Sequence, residues 1–172
     1  VPGLSFRVGD GFAHNPDRPV SGLDGDVVRL PNRGARVLKG YTMVGRQVDV
    51  IETSRGCTFD CSFCSIIEMR GRNFHTFNFD RVLADIRDAR AHGARAIFLV
   101  DDNITLNLKR FTALCEAIIA AGLTDIHYIV QGMTSAIASA GHELAALMRR
   151  DRDGYVCLRL GNRLDQELPF LH

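Results

Sequence analysis

The sequence predicts an α/β fold, a partial parallel (β/α) barrel that is truncated and has about four strands present. Short segments that are apolar enough for strands in such a sheet occur at 48–52, 95–100, 126–130 and 155–160. The last three begin about 30 residues apart, which is the length of one strand-helix-strand unit. Amphipathic segments that predict helices lie between the strands.

Residues 1–44 differ in composition from the rest. They hold seven of the 16 glycines and four of the five prolines, with short apolar pieces near the start. This composition predicts one hairpin followed by an extended linker. His14 belongs to the hairpin, where we expect it to be a surface residue.

Two strong helices are predicted between the strands. The first has an apolar face from Phe79 to Ala89, with Asn78 as N-cap and Gly93 as the C-terminal stop. The second follows Asn107 and ends at Gly122. A weaker third helix is predicted at about 143–150. Cys115 on the second helix and Cys157 in the last strand are expected to be packing residues.

Polar or thiol-bearing residues follow the first three strands. The run from Cys57 to Cys64 comes after the first strand, Asp101-Asp102-Asn103 ends the second, and Gln131 follows the third. In parallel barrels the active site gathers where strands end and helices begin. We therefore expect these residues to meet at one mouth.

Three of the five cysteines, Cys57, Cys61 and Cys64, fall within eight residues. A disulfide explains them poorly, because an odd cluster leaves one thiol over. A structural zinc ion would take His75 as its fourth ligand. An iron-sulfur cube held by three cysteines would keep one iron open, whereas electron-transfer clusters usually have four protein ligands.

The C-x3-C-x2-C spacing, with Phe63 just before the last cysteine, resembles the cluster loop of the radical S-adenosylmethionine (SAM) superfamily. The longer run 52–66, together with 98–103, resembles the branch whose members carry a cobalamin-binding domain ahead of the radical SAM barrel. On this resemblance 1–44 is the hairpin and linker at the tail of an upstream cobalamin-binding domain, and 45–172 is the N-terminal part of the barrel. The chain would then be a fragment of a longer protein.

The resemblance implies a site and a reaction. Cys57, Cys61 and Cys64 would bind a 4Fe-4S cluster that reductively cleaves SAM to a 5'-deoxyadenosyl radical, or the enzyme would transfer a methyl group through cobalamin. The residues expected to bind SAM are Phe63, Asp101, Asp102 and Asn103. The implied partners are a small-molecule substrate and an electron donor such as flavodoxin or ferredoxin.

One departure keeps alternatives open. The fourth strand of this branch usually ends with an acid that contacts SAM, whereas this chain has Leu160-Gly161-Asn162-Arg163. A truncated piece without catalysis is therefore one alternative, and the structural zinc module with His75 is another.

Composition and charge narrow the function classes. The 172 residues are 46% hydrophobic and carry a net charge of +1, with 21 basic and 20 acidic residues. This balance gives no bulk attraction to nucleic acid or anionic membranes. No apolar run has the roughly 20 residues of a transmembrane helix. Thiols clustered for metal suit a reducing compartment, so the cytoplasm is the expected location.

Overall fold

The computed structural model describes residues 1–17, 28–43, 45–148 and 157–161. The first element is an antiparallel hairpin of β1 (Ser5–Val8) and β2 (Gly11–His14), which confirms the predicted hairpin. His14 lies on it and is exposed, as expected. A single 3-10 turn, Arg33–Ala35, is the only helix or strand in the described part of 15–41.

The central sheet has five strands. A two-residue edge strand, β3 (Thr42–Met43), runs antiparallel to its neighbour, and the other four are parallel. The parallel strands are β4 (Arg46–Ile51), β7 (Ala96–Leu99), β8 (His127–Met133) and β9 (Cys157–Gly161). The prediction of about four parallel strands is confirmed.

The strands lie in the order β3-β4-β7-β8-β9, so each new strand is added on the same side of the last. Right-handed crossovers in such an order put every connecting helix on one face, as in a barrel. Exposure along β4 agrees: Asp49 and Ile51 are buried, whereas Val50 between them is half exposed. One face of this strand therefore packs on helices and the other is the more open inner face.

In the part of the chain that the structure describes, four α-helices accompany the sheet. They are the short α1 (Ile66–Arg70), α2 (Phe79–Ala91), α3 (Leu108–Ala120) and α4 (Thr134–Met148). The apolar faces of α2, α3 and α4 form one core with the sheet, which includes Ile51, Val82, Ile97, Leu114 and Leu144. None of the described helices is both long and apolar enough to span a membrane.

The helix ends follow the predicted capping chemistry. Asn78 accepts a hydrogen bond from the amide of Arg81 at 2.9 Å, and Asn107 accepts one from the amide of Arg110 at 3.0 Å. Both helices are followed by glycines with positive φ, Gly93 and Gly122. These four boundaries are confirmed.

Two boundaries were predicted wrongly. Gln131 does not follow the third strand but lies within β8, which continues to Met133. The helix predicted at 143–150 begins at Thr134, because the alanine-rich segment after the strand favours helix although it lacks a clear apolar stripe. The predicted helix end at 149–150, the predicted strand start at 155–156 and the pair Asn162-Arg163 lie outside the described residues.

Candidate functional site

The cysteine-bearing segment leaves and re-enters the fold through a small second ladder. β5 (Ser54–Arg55) pairs antiparallel with β6 (His75–Thr76), just beyond the carboxyl end of β4. Residues 56–74 form a loop between these two strands, and all three clustered cysteines are in this loop. We call residues 54–76 the cysteine excursion. Sequence reasoning missed this ladder, because two-residue strands leave no periodicity to read.

Gly56, the residue before Cys57, has a backbone conformation that suits only glycine. Its φ is +89°, and a Cβ built on it would lie 2.4 Å from the carbonyl oxygen of Asn73. The backbones of Gly56 and Asn73, near the two ends of the excursion, are therefore in close contact immediately before Cys57.

The first aspartate of the Asp101-Asp102-Asn103 run is buried beneath the cysteine excursion. The side chain of Asp101 accepts hydrogen bonds from the Thr53 amide at 2.7 Å, the Thr53 hydroxyl at 2.5 Å and the Ser54 hydroxyl at 2.5 Å. The residue is 2% exposed. Burial raises the pKa of this carboxyl, and the bonds from Ser54 and Thr53 work against that rise.

The side chains of Asp102 and Asn103 have different partners from that of Asp101. Asp102 accepts a hydrogen bond from the Gly56 amide at 2.7 Å and has the Arg70 guanidinium 3.8 Å away. Its side chain keeps 16% exposure. Asn103 is buried and accepts hydrogen bonds from the amide and hydroxyl of Thr105, which lies in the 3-10 turn Ile104–Leu106. Of the three residues, Asp102 has the carboxylate nearest to open space.

Thr105 connects these polar contacts to the third parallel strand, β8. Its hydroxyl accepts a hydrogen bond from the Met133 amide at 2.9 Å, and its methyl group would lie 2.7 Å from a Cβ on Gly132. The ends of β4, β7 and β8 are thus joined by one line of polar contacts. The start of the cysteine segment and the Asp101-Asp102-Asn103 run therefore meet at one edge of the sheet, whereas Gln131 lies within β8.

The cysteines themselves are free thiols with partly accessible side chains. Between Cys57 and Cys61, Arg72 donates to the Thr58 carbonyl at 3.1 Å and pairs with Asp60. Phe63 is 65% exposed beside the last cysteine. Arg72 therefore binds two residues between the first two cysteines, while the ring of Phe63 remains accessible.

The side chains do not gather around a single ion. Among the residues that the structure describes, no three side chains of His, Cys, Asp or Glu are placed to hold one metal ion, so His75 is not brought together with the cysteines. Thiolates on one zinc ion all lie about 2.3 Å from it, whereas the thiolates of a cube bind separate irons. Three free thiols on one loop fit the donor set of a cube.

Glu52 and Cys115 each interact with other groups of the protein. Glu52 accepts a hydrogen bond from Arg55 at 2.7 Å. Cys115 packs against the core, where burial raises the pKa of its thiol to about 11. Its predicted packing role is confirmed. The side chain of Cys157 is outside what the structure describes.

Comparison with known proteins places the chain in context. Residues 51–154 match the model of the radical SAM superfamily. The chain is 29% identical over 171 residues to the anaerobic magnesium-protoporphyrin IX monomethyl ester cyclase of Cereibacter sphaeroides, covering 98% of this chain and 27% of that protein. It is 35% identical over 79 residues to the hopanoid C-3 methylase of Methylococcus capsulatus, covering 46% of this chain and 15% of the methylase.

Solved structures share the fold. The radical SAM methyltransferase TsrM from Kitasatospora setae, with tryptophan and a SAM analogue bound, superposes with a TM-score of 0.60 at 19% identity. That match covers 86% of this chain and 30% of TsrM. TsrM with cobalamin and a [4Fe-4S] cluster bound superposes with a TM-score of 0.54, also at 19% identity, over 60% of this chain and 20% of TsrM. The chain thus spans about a quarter or less of the two relatives and at most 30% of TsrM.

Proposed function

The chain belongs to the radical SAM superfamily, and from this premise we propose that it is part of an enzyme that uses a 4Fe-4S cluster and SAM to modify a small organic molecule. The observation that carries the proposal is the cysteine excursion, which puts three free thiols at the carboxyl ends of the strands. When bound, the cluster supplies an electron to SAM, and carbon-sulfur cleavage provides the reactive group. The electron would come from a flavodoxin or ferredoxin.

We assign the residues as follows. Cys57, Cys61 and Cys64 hold the cluster. Asp102 accepts hydrogen bonds from the SAM ammonium, since a partly exposed carboxylate at a strand end suits a charge-assisted bond. Phe63 packs against the adenine. Asp101 and Asn103 support this site from below, because both are buried and engaged in hydrogen bonds within the protein.

The reaction class follows from the relatives. One relative is a cyclase and another a methylase, and the fold matches a methyltransferase that binds cobalamin. We propose methyl transfer through cobalamin or ring closure as the reaction. The TsrM match over 86% of the chain is longer than 45–172 alone, which supports 1–44 as the tail of an upstream cobalamin-binding domain. Cobalamin absorbance in the purified full-length protein tests this domain assignment, and a protein without it would contradict the assignment.

Cluster loading tests the ligand assignment. The full-length protein is reconstituted with iron and sulfide under anaerobic conditions, and both elements are counted per chain. Cys57→Ala, Cys61→Ala and Cys64→Ala are each expected to lose the cluster and the formation of 5'-deoxyadenosine from SAM. Cys115→Ala is the matched control and should load like the wild type. Loading that survives in the three variants, or zinc in place of iron and sulfide, would contradict the assignment.

The role of Asp102 has its own test. Asp102→Asn keeps an oxygen for the Gly56 amide but removes the charge, so the loop should keep its cluster while SAM affinity falls about tenfold or more. Equilibrium dialysis with SAM measures this on the reconstituted protein. Unchanged affinity would remove Asp102 from the SAM site.

A further inference from the structure

Arg110 lies on the first turn of α3, outside the cysteine excursion, yet it reaches both ends of it. Its Nη2 donates to the carbonyl of Thr53 at 2.9 Å and to the carbonyl of Phe77 at 2.9 Å. Thr53 immediately precedes the excursion and Phe77 immediately follows it. One guanidinium group therefore bridges the entrance and the exit of the cluster-bearing segment.

Thr53 is the point at which this bridge meets the aspartate below. Its hydroxyl accepts from Arg110 Nη1 at 3.3 Å and donates to Asp101 at 2.5 Å. Its carbonyl also accepts from the Phe77 amide at 3.0 Å. Thr53 is 0% exposed, so each of these polar groups depends on protein partners. A partly buried cation and a buried anion are thus connected through one threonine.

The surroundings hold the guanidinium in place. The ring of Phe79 lies 5.1 Å from the Arg110 side-chain carbon Cζ, close enough for a cation-π contact. Planar arginine, with its five donors, can bond two carbonyls and a hydroxyl at once, which a lysine cannot match with one ammonium.

From this geometry we propose that Arg110, acting through Thr53 and Asp101, is a positioning residue for the cysteine excursion. It sets the separation of the two chain segments from which the cysteine loop projects, and so the placement of the cluster thiolates. The proposal rests on the proposed function, because positioning matters only if the cysteines bind a cluster.

The first measurement needs no cluster. Amide hydrogen exchange is recorded on the full-length protein without iron, and the amides of Thr53, Gly56 and Phe77 should exchange about tenfold faster in Arg110→Met than in the wild type, since a hydrogen bond to a charged group is lost. Arg90→Met is the matched control, because Arg90 lies on α2 and pairs with Asp125 at the surface, where the two side chains are 42% and 49% exposed. It should leave these three amides unchanged.

The second measurement separates positioning from stability. Thr53→Val removes the hydroxyl at nearly constant shape, and Thr53→Ser keeps it. Thr53→Val and Arg110→Met should load several-fold less cluster and change its electron paramagnetic resonance spectrum. Thr53→Ser should recover both, and Arg110→Lys, whose ammonium lacks the planar fork, should recover only part of them. Denaturation midpoints are measured in parallel, so that variants of equal stability are compared.

The outcomes are distinct. Wild-type exchange rates in Arg110→Met, or wild-type loading and spectrum in folded Arg110→Met and Thr53→Val, would overturn the positioning role. A wild-type protein that takes up no cluster would overturn the proposed function instead, and the exchange result would still decide whether Arg110 fixes the excursion.

Discussion

Asp101 and Asp102 are adjacent and chemically identical, yet the fold gives them opposite surroundings. The side chain of Asp101 faces the buried ends of Thr53 and Ser54, and that of Asp102 faces the amide of Gly56 and the edge of the site. Alternation of side chains at the end of an extended segment produces this division. Which of two neighbouring carboxylates meets a cofactor is decided by the face on which it lies.

Gly56 supplies a prediction at this scale. Gly56→Ala should lower the free energy of unfolding by at least about 3 kcal/mol, because alanine is disfavoured at this φ and its Cβ would meet a backbone carbonyl. Gly40 has a similar φ of +83° with nothing within 4 Å, so Gly40→Ala isolates the conformational cost, about 1–2 kcal/mol. Urea denaturation of both variants measures the difference. Equal losses would show that the Asn73 contact is unimportant.

The 3-10 turn before the sheet shows how one element is fastened to others. Arg33 is buried there and contacts three carboxylates: Asp49 of β4 at 2.6 Å, and Asp85 and Asp88 of α2 at 2.6 and 2.7 Å. Arg36 adds a second contact to Asp49 at 2.6 Å. These ion pairs therefore hold the turn against β4 and α2.

Removing this arginine is expected to be costly. Arg33→Met should destabilise the protein by about 3–5 kcal/mol, because Asp85 would remain buried without its cation and Asp49 would keep only the contact with Arg36. Arg36→Met is the control. Its side chain is 38% exposed, so the loss should be about 1 kcal/mol or less. Thermal or urea unfolding compares them. A small loss in Arg33→Met would mean that the segment contributes little to the fold.

At the scale of the whole molecule, the same network gives stability a pH dependence. Burial alone would raise the pKa of Asp49, but hydrogen bonds from Arg36 and Arg33 outweigh it and hold the pKa below its ordinary value. A carboxyl with a lowered pKa in the folded state stabilises that state above its unfolded pKa, about 4, and this contribution is lost as the pH falls through the folded pKa.

The expected result is a free energy of unfolding that declines below about pH 4, with a shallower decline in Asp49→Asn. Asp101 acts with the opposite sign, because its pKa is raised by burial: its protonated form favours the fold, and that contribution is lost as the pH rises through the folded pKa. Urea unfolding across this pH range measures the slope. An identical slope in Asp49→Asn would contradict the role given to Asp49.

Local features of the molecule could be predicted from the sequence, whereas long-range contacts could not. The caps at Asn78 and Asn107, the strands and the cysteine spacing are local patterns, and they lie where the sequence indicated. Arg110 meets Thr53 across 57 positions, and Arg33 meets Asp88 across 55. No periodicity connects such residues, because tertiary packing alone brings them together. The early start of α4 was missed for a different reason, since its first turns lack an amphipathic pattern.

In the proposed site, the three cysteines hold a cluster with one iron open to SAM. Electron paramagnetic resonance of the reduced, reconstituted full-length protein, with and without SAM, tests it most directly. We predict a cube signal that shifts when SAM is added and that is absent when Cys57, Cys61 and Cys64 are all alanine. A cluster signal that is indifferent to SAM, or one that persists in the triple variant, would contradict the account.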